Sequence, residues 1–308
     1  MLDPTDLYEL SDDVPDLTDP VLLCHLDGFV DAGSAGRLAA SHLLDGLEHR
    51  VVARFDTDRL LDYRARRPVM VYDADHWESY TRPELVVYAV RDTVGLDFLL
   101  LTGLEPDREW ERFTAAVRGL VKRLGVRLTA TFHGIPMAVP HTRPISVIAH
   151  ATRPELVASY RPWMGKVQVP GSAAALLELR LGEEGHDAMG FAVQVPHYLA
   201  QTEYPHAALA VLETLSLATG LTLPMDGLRE SADRTLAEIE SQIADSPEIS
   251  SAVTGLEEQY DAYTRAEDRG SLMAEEPGTV PTADELGAQF ERFLAEQDRR
   301  NENPGGDF

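Results

Sequence analysis

Two histidines and one arginine in a proline-rich stretch are the side chains best suited to chemistry. The segment HGIPMAVPHTRP, residues 133–144, contains His133, His141 and Arg143. An imidazole exchanges protons near neutral pH, and a guanidinium binds carboxylates and phosphates through paired hydrogen bonds. Because regular elements do not accommodate prolines at this density, we predict a stiff loop that directly follows a strand and fixes these side chains. The same loop would also suit a contact between subunits.

A strand, a loop and a helix are predicted at residues 21–47. Residues 21–26 form an apolar run of strand length, residues 27–33 are rich in turn formers, and residues 34–47 carry leucines at helical spacing. In open α/β sheets, sites gather where such loops leave the carboxyl ends of the strands. We therefore expect any site to centre on this loop, in which Asp31 either caps the helix or faces a ligand.

Three further arginines stand out because the chain around them is acidic. Arg64, Arg66 and Arg67 lie within four positions of each other. They either pair with the protein's own carboxylates, such as Asp56, Asp58 and Asp62, or clamp an anionic group. His197 directly follows the last predicted strand, residues 188–195. The candidate ligand-binding set is therefore Asp31, Arg64, Arg67, His141, Arg143 and His197.

The spacing of the remaining residues matches no standard cofactor, metal or catalytic motif. Gly28, Gly33 and Gly36 do not have the spacing of a dinucleotide fingerprint, and no Lys-Ser or Lys-Thr pair follows them as in a phosphate-binding P-loop. The chain contains neither HExxH nor GxSxG, and Cys24 is its single cysteine. We expect no metal and no cofactor, and the spacing alone does not establish an enzyme, so the balance leans towards a protein without catalytic activity.

The charge of the chain limits its partners. Its 308 residues include 27 Lys plus Arg and 52 Asp plus Glu, which gives a net charge of −25. Such a surface repels nucleic acids and anionic membranes, so we expect neither as a partner. The sequence shows no signal-peptide pattern and no run of 18 apolar residues, and one cysteine cannot form a disulfide within the chain. We therefore expect a cytoplasmic protein.

The order of the predicted elements favours an α/β fold. Strands and helices alternate along residues 21–224, as in a layered sheet. Residues 1–20 are expected to form an acidic arm, and residues 225–270 a helical hairpin, because apolar residues there step by fours and threes. Residues 271–308 have the composition of a flexible acidic tail with one amphipathic helix near residues 282–297. That helix either docks on its own domain or binds a partner groove.

The chain resembles the proteasome assembly chaperone 2 family, in its actinobacterial branch. The resemblance covers about residues 20–265 and rests on the segments LDGFVDAGSAG, FDTDRLLDYRARRP, LLLTGLEPDREWERF, HGIPMAVPHTRP, VPHYLAQTEYPHAALAVLE and LEEQYDAY. It implies a three-layer α/β/α core, phosphorylase- or hydrolase-like, followed by a helical subdomain. It also implies self-association, with a trimer as our first expectation, and proteasome α subunits as partners. The family's carboxyl-terminal docking motif, hydrophobic–Tyr–any, is not matched, since residue 307 is an aspartate.

Two functions remain open from the sequence. The first is a non-enzymatic, self-associating binding or assembly protein. The alternative is a phosphorylase- or hydrolase-like enzyme, or a small anionic-ligand binder, with its site at the carboxyl ends of the strands. Convergence of the candidate residues in one pocket would favour the alternative, and their separation would favour the first.

Overall fold

The computed structural model describes residues 2–160, 165–244 and 246–269. Ten strands and seven α-helices are assigned in this part of the chain. The strands are β1 (Tyr8–Leu10), β2 (Val21–Asp27), β3 (His49–Phe55), β4 (Met70–Asp73), β5 (His76–Tyr80), β6 (Leu85–Arg91), β7 (Asp97–Leu104), β8 (Leu128–Met137), β9 (Val147–Ala151) and β10 (Ala188–Pro196). The helices are α1 (Ala35–Gly46), α2 (Thr57–Leu60), α3 (Trp110–Arg123), α4 (Ala173–Glu183), α5 (Pro205–Thr219), α6 (Asp226–Ala244) and α7 (Pro247–Arg269).

Eight of the strands form one mixed sheet. Their order across the sheet is β1-β3-β6-β7-β2-β8-β10-β9. The four central strands β7, β2, β8 and β10 run parallel, and the flanking strands pair antiparallel to their neighbours. Strands β4 and β5 form a separate two-stranded hairpin. The sequence analysis did not predict this hairpin.

The central strands are buried on both faces, which explains their unbroken apolar runs. In β2, Val21 and Leu23 point into the core formed with α1 and α5. Leu22 and Cys24 point into the opposite core, formed with α3 and α4. Helices therefore cover both faces of the sheet, and the predicted three-layer α/β/α architecture is confirmed.

The amino-terminal segment is tied to the sheet rather than extended away from it. Strand β1 pairs with β3 along the sheet edge, and Leu7 just before it is fully buried. The guanidinium of Arg112 on α3 donates to the backbone oxygen of Asp3 at 2.6 Å. The acidic residues expected in a separate arm thus flank the edge strand of the core.

Strand β8 continues through part of the segment predicted as a loop. His133 and Pro136 lie inside β8, so the loop begins later than we expected. The register of β8 with β2 ends at Thr131, and from there β8 pairs with β10 alone. Pro136 therefore needs no N–H donor on the side that β2 has left.

Two helices follow the core, as the sequence predicts. Helix α6 packs on α5 and buries Leu228 and Ala232. By internal contacts, residues up to Glu257 form one compact unit, and the described residues from Glu258 onward belong to a second. The helix expected near residues 282–297 lies outside the described residues. No helix in the described part of the chain is long and apolar enough to span a membrane.

The second residue of helix α1, Gly36, makes room for a buried histidine. A Cβ atom on Gly36 would lie 2.3 Å from Nδ1 of His25 on β2. The imidazole is 2 % exposed and stacks on Phe132 at a centroid distance of 5.6 Å. The ring therefore occupies the volume that any larger residue at position 36 would need.

We expect Gly36→Ala to lower the free energy of unfolding by about 1–3 kcal/mol, because the added methyl group overpacks the His25 ring. Gly119→Ala in α3 is the matched control, since its Cβ would meet nothing within 4 Å. That variant should gain about 0.5–1 kcal/mol from helix propensity. Urea unfolding of both variants measures the difference, and equal stabilities would show that the ring is not fixed against α1.

Candidate functional site

The carboxyl ends of the four parallel strands lie along one edge of the sheet. Strands β7, β2, β8 and β10 end there at Leu104, Asp27, Met137 and Pro196. The segments that follow β2, β8 and β10 contain Asp31, His141 with Arg143, and His197. Most of the candidate set therefore emerges at the edge where α/β sheets hold their ligands.

Asp31 is occupied by backbone hydrogen bonds. Its Oδ1 accepts from the N–H groups of Gly36 at 2.8 Å and Gly134 at 2.9 Å. Its Oδ2 accepts from the N–H of Arg37 at 3.0 Å. The carboxylate caps the amino terminus of α1 and ties the loop to β8, so it takes the capping role of the two that the sequence left open.

The loop with Asp31 packs against the loop after β10. The backbone N–H of Gly33 donates to the carbonyl oxygen of Ala200 at 2.9 Å. The backbone N–H of Tyr204 donates to the carbonyl oxygen of Gly33 at 2.8 Å. Gly33 has φ 66°, and a Cβ there would lie 2.9 Å from Cβ of Tyr204. This position requires glycine for both conformation and space.

His141 and His197 meet at one tyrosine. The hydroxyl of Tyr198 lies 2.7 Å from Nδ1 of His141 and accepts from the N–H of the same residue at 2.9 Å. The rings of His197 and Tyr198 stand edge to face at 5.4 Å. Burial lowers the pKa of His141 and raises the pKa of Tyr198. Both groups are thereby held neutral, as suits a structural hydrogen bond.

Arg143 lies in the same region but pairs with the carboxyl-terminal helix. Its Nη1 lies 3.3 Å from Oε1 of Glu257 in α7, and the same oxygen accepts from the hydroxyl of Thr142. His141, Arg143 and Tyr204 line a tightly packed space with no room for a water-sized molecule.

One arginine of the cluster forms hydrogen bonds within the chain, and the other two are exposed. Arg66 donates to the backbone oxygen of Asp27 at 3.1 Å and to Oδ1 of Asp107 at 2.8 Å. Arg64 and Arg67 are exposed, and their guanidinium groups contact no carboxylate in the described chain. They do not join the other candidate residues in a pocket.

The expected pairing of this cluster with the protein's own carboxylates holds for Arg66, through Asp107, and the aspartates named as examples pair elsewhere. Asp56 pairs with Arg59, and Asp62 pairs with Arg108. Asp58 accepts a hydrogen bond from Tyr63 at 2.6 Å. These carboxylates are satisfied locally, which leaves Arg64 and Arg67 without them.

The candidate residues therefore come together in pairs rather than as one site. The structure joins His141 with His197 through Tyr198, and it places Asp31 and Arg143 in separate structural contacts. Sequence reasoning missed His25, Tyr198 and Glu257. His25 lies inside an apolar strand pattern, and Glu257 lies on a distant helix, so no local signal identifies either.

Two more histidines lie on the face of the sheet that α4 covers. His133 of β8 and His150 of β9 flank β10, and Nδ1 of His150 lies 2.8 Å from Oε1 of Glu178 on α4. Burial lowers the pKa of His133 to about 4, with Asp31 opposing the shift. Burial also lowers the pKa of His150, but its hydrogen bond to Glu178 and the charge of that residue raise it more, so its net shift is upward.

The described residues offer little to a metal ion or to thiol chemistry. No group of three or more histidine, cysteine or acidic side chains among them is placed to hold a metal. Burial raises the pKa of the Cys24 thiol to about 12, so this cysteine is protonated and inert.

The fold defines the general class of the protein: a three-layer α/β/α protein with a mixed sheet and appended carboxyl-terminal helices. Within this class the chain belongs to the PAC2 family, whose family model matches residues 25–243. The resemblance seen in the sequence is confirmed. None of the curated proteins matches the chain.

Solved structures of actinobacterial proteins share the fold closely. A Mycobacterium tuberculosis protein of unknown function is 49 % identical, with a TM-score of 0.84 over 87 % of this chain and 93 % of that one. A Corynebacterium glutamicum protein of unknown function is 38 % identical, with a TM-score of 0.80 over 83 % and 97 %. A Mycobacterium tuberculosis proteasome-assembly chaperone homologue is 24 % identical, with a TM-score of 0.70 over 76 % and 99 %, which shows a shared fold.

The buried His133 makes stability depend on pH. Its pKa is about 4 in the folded protein and near the ordinary 6.5 in the unfolded chain, so the unfolded chain binds the proton first. The contribution of the neutral His133 side chain to the free energy of unfolding is complete above the unfolded pKa of 6.5. It is lost as the pH falls toward 4. Between about pH 7 and about pH 4.5, we expect His133→Gln to lose about 2 kcal/mol less free energy of unfolding than the wild type.

Urea unfolding at several pH values provides the measurement. His76→Gln, which changes an exposed histidine on β5, is the control and should follow the wild type. Parallel pH profiles for the wild type and His133→Gln would contradict the assignment.

Proposed function

We propose that the protein is a non-enzymatic, self-associating binding protein of the cytoplasm that assists the assembly of other proteins. The observation that carries the proposal is the β4–β5 hairpin, a projecting surface of large apolar side chains. The division of the candidate residues into internal contacts supports a binding role over a catalytic one. Family membership supports a role in assembly.

Every residue of the hairpin strands is exposed. Met70 and Tyr80 are each 47 % exposed, Tyr72 is 57 % exposed and Trp77 is 63 % exposed. An isolated two-stranded hairpin is marginally stable in water, and large exposed apolar patches mark interaction sites. These exposures favour a hairpin that is covered in the working protein.

The four large side chains share one face of the hairpin. Met70 pairs with Tyr80, and Tyr72 pairs with Trp77, with a bulge between the two pairs that restores the register. The rings of Tyr72 and Trp77 stand edge to face at 5.1 Å. Aromatic side chains held in this way dominate the binding energy of protein interfaces.

Exposed arginines flank the hairpin in the sequence. Arg64 and Arg67 precede it, Arg82 follows it, and none of the three forms an ion pair within the described chain. Unpaired arginines near an apolar centre favour contact with carboxylates of a partner. Another copy of this chain, with its net charge of −25, presents such a surface. We therefore take a second copy as the occupant, with a trimer as the expected assembly.

We expect a homo-oligomer, with a trimer first, in the native mass spectrum of the wild type. The double variant Tyr72→Ser, Trp77→Ser should run as a monomer, because it removes the aromatic centre of the hairpin. Leu217→Ser is the matched control, since that side chain is 85 % exposed on α5, and it should keep the wild-type mass. A wild-type monomer, or an unchanged oligomer in the double variant, would reject the hairpin interface.

Proteasome α subunits are the proposed assembly partners, since a structural relative is described as a proteasome-assembly chaperone homologue. Purified actinobacterial α subunits mixed with this protein should give a mixed complex in native mass spectra and should form rings faster. Bovine serum albumin at the same concentration controls for crowding. Unchanged ring formation and no mixed complex would exclude this partner and leave the self-association result intact.

A further inference from the structure

A second pocket opens beside α1, outside the contacts already described. Its volume is about 240 Å³, and we call it the α1 pocket. Its lining comes from β2, α1, β7 and the segment around β6, and includes the polar side chains of His25, Asp27, Ser41, Tyr88 and Thr102. The volume is below the usual size of a drug-sized site, so it fits a single small functional group with a short chain.

The pocket lies where the topology of the sheet changes direction. Strands β2 and β7 are parallel neighbours. The connection after β2 leads to α1 on one face, and the connection after β7 leads to α3 on the other. The crevice between two such strands is the place where open α/β sheets bind ligands.

The charges around the pocket leave one carboxylate uncompensated. Arg37 pairs with Glu203 at 2.9 Å, and Glu84 pairs with Arg54. The carboxylate of Asp27 forms no hydrogen bond or ion pair with any described residue. The local excess is therefore one negative charge, which opposes an anion and favours a cation.

The buried imidazole of His25 forms part of the pocket wall. Its Nδ1 lies 3.2 Å from the backbone oxygen of Phe132, and because a carbonyl accepts only, Nδ1 carries a proton. Its Nε2 is enclosed 3.7 Å from Oδ2 of Asp31 and has no hydrogen-bond partner among the described residues. The ring therefore bounds the pocket without presenting Nε2 to a ligand in it.

Three hydroxyl groups complete the lining. Ser41, Thr102 and Tyr88 make no side-chain hydrogen bond with the described residues. Hydroxyl groups accept from N–H donors as readily as they donate. A ligand with several N–H donors and a positive charge satisfies the carboxylate and the hydroxyls together.

We propose that the α1 pocket binds a small organic cation, a guanidinium or primary ammonium group, with Asp27 as its counter-charge. The group belongs either to a free amine or guanidine compound or to a basic side chain of another protein. The site is separate from the hairpin, so it does not depend on self-association.

Isothermal titration calorimetry of the full chain tests the proposal with four probes. Agmatine represents a free cation, and N-acetylarginine methylamide represents a basic side chain within a chain. N-acetylcitrulline methylamide has nearly the shape of the arginine probe without its charge, and inorganic phosphate is the anionic probe. We expect heat of binding from at least one cationic probe, and none from the citrulline compound or phosphate. Binding of agmatine alone indicates a free compound, and binding of the blocked arginine indicates a protein side chain.

Variants locate the binding. Asp27→Asn should lower the affinity for the cationic probe about tenfold or more, since it removes the counter-charge. Asp45→Asn makes the same charge change on an exposed position of α1 outside the pocket, and it should keep the affinity within about twofold. Ser41→Trp, at an exposed position of the lining, should abolish binding by filling the pocket.

Three results would overturn the proposal: no binding of either cationic probe, equal binding of the citrulline probe, or equal losses in Asp27→Asn and Asp45→Asn. The last result would show general attraction to an acidic surface. Because Asp27 and Ser41 use no side-chain contact in the fold, circular dichroism should show both variants folded.

Discussion

One carboxylate, that of Asp31, connects three parts of the carboxyl edge of the sheet. Asp31 lies in the loop after β2, and its carboxylate accepts hydrogen bonds from backbone N–H groups at the start of α1 and in β8. It therefore fixes this loop to both elements. Gly134 must approach closely for this, and a Cβ there would lie 2.2 Å from the oxygen of Ala32. A charge-assisted bond to a buried N–H is stronger than a neutral one, and three of them share this single side chain. Losing the carboxylate would remove the acceptor that these three N–H groups share.

The architecture could be predicted from the sequence because its signals are local. Apolar runs such as residues 21–26 and the helical spacing in residues 110–124 reflect burial on both faces and on one face respectively. The end of β8 could not be predicted, since the acceptability of Pro136 depends on where β2 departs. The hairpin could not be predicted either. Residues 70–80 lack the alternation of buried and exposed side chains by which half-buried strands are recognised.

The candidate site was predicted less well, and for a physical reason. Residue type and loop position correctly placed Asp31, His141 and His197 at one edge of the sheet. They did not reveal that His141 and Arg143 are bonded within the chain, because their partners Tyr198 and Glu257 are distant in sequence. Polar side chains at strand ends serve either chemistry or the many backbone groups that loops leave unpaired, and sequence alone does not separate the two.

His25 departs from the rule that buried polar groups are bonded. Its Nε2 is one of several buried polar side-chain atoms without a hydrogen-bond partner among the described residues, and such an atom costs about 1–3 kcal/mol. The chain also gives up helix propensity at Gly36 to admit the ring. An aliphatic residue at position 25 would avoid the unpaired atom within an apolar strand. Local costs of this kind gather at functional sites. The ring forms part of the wall of the α1 pocket, next to the carboxylate of Asp27, so this cost falls beside the proposed binding site.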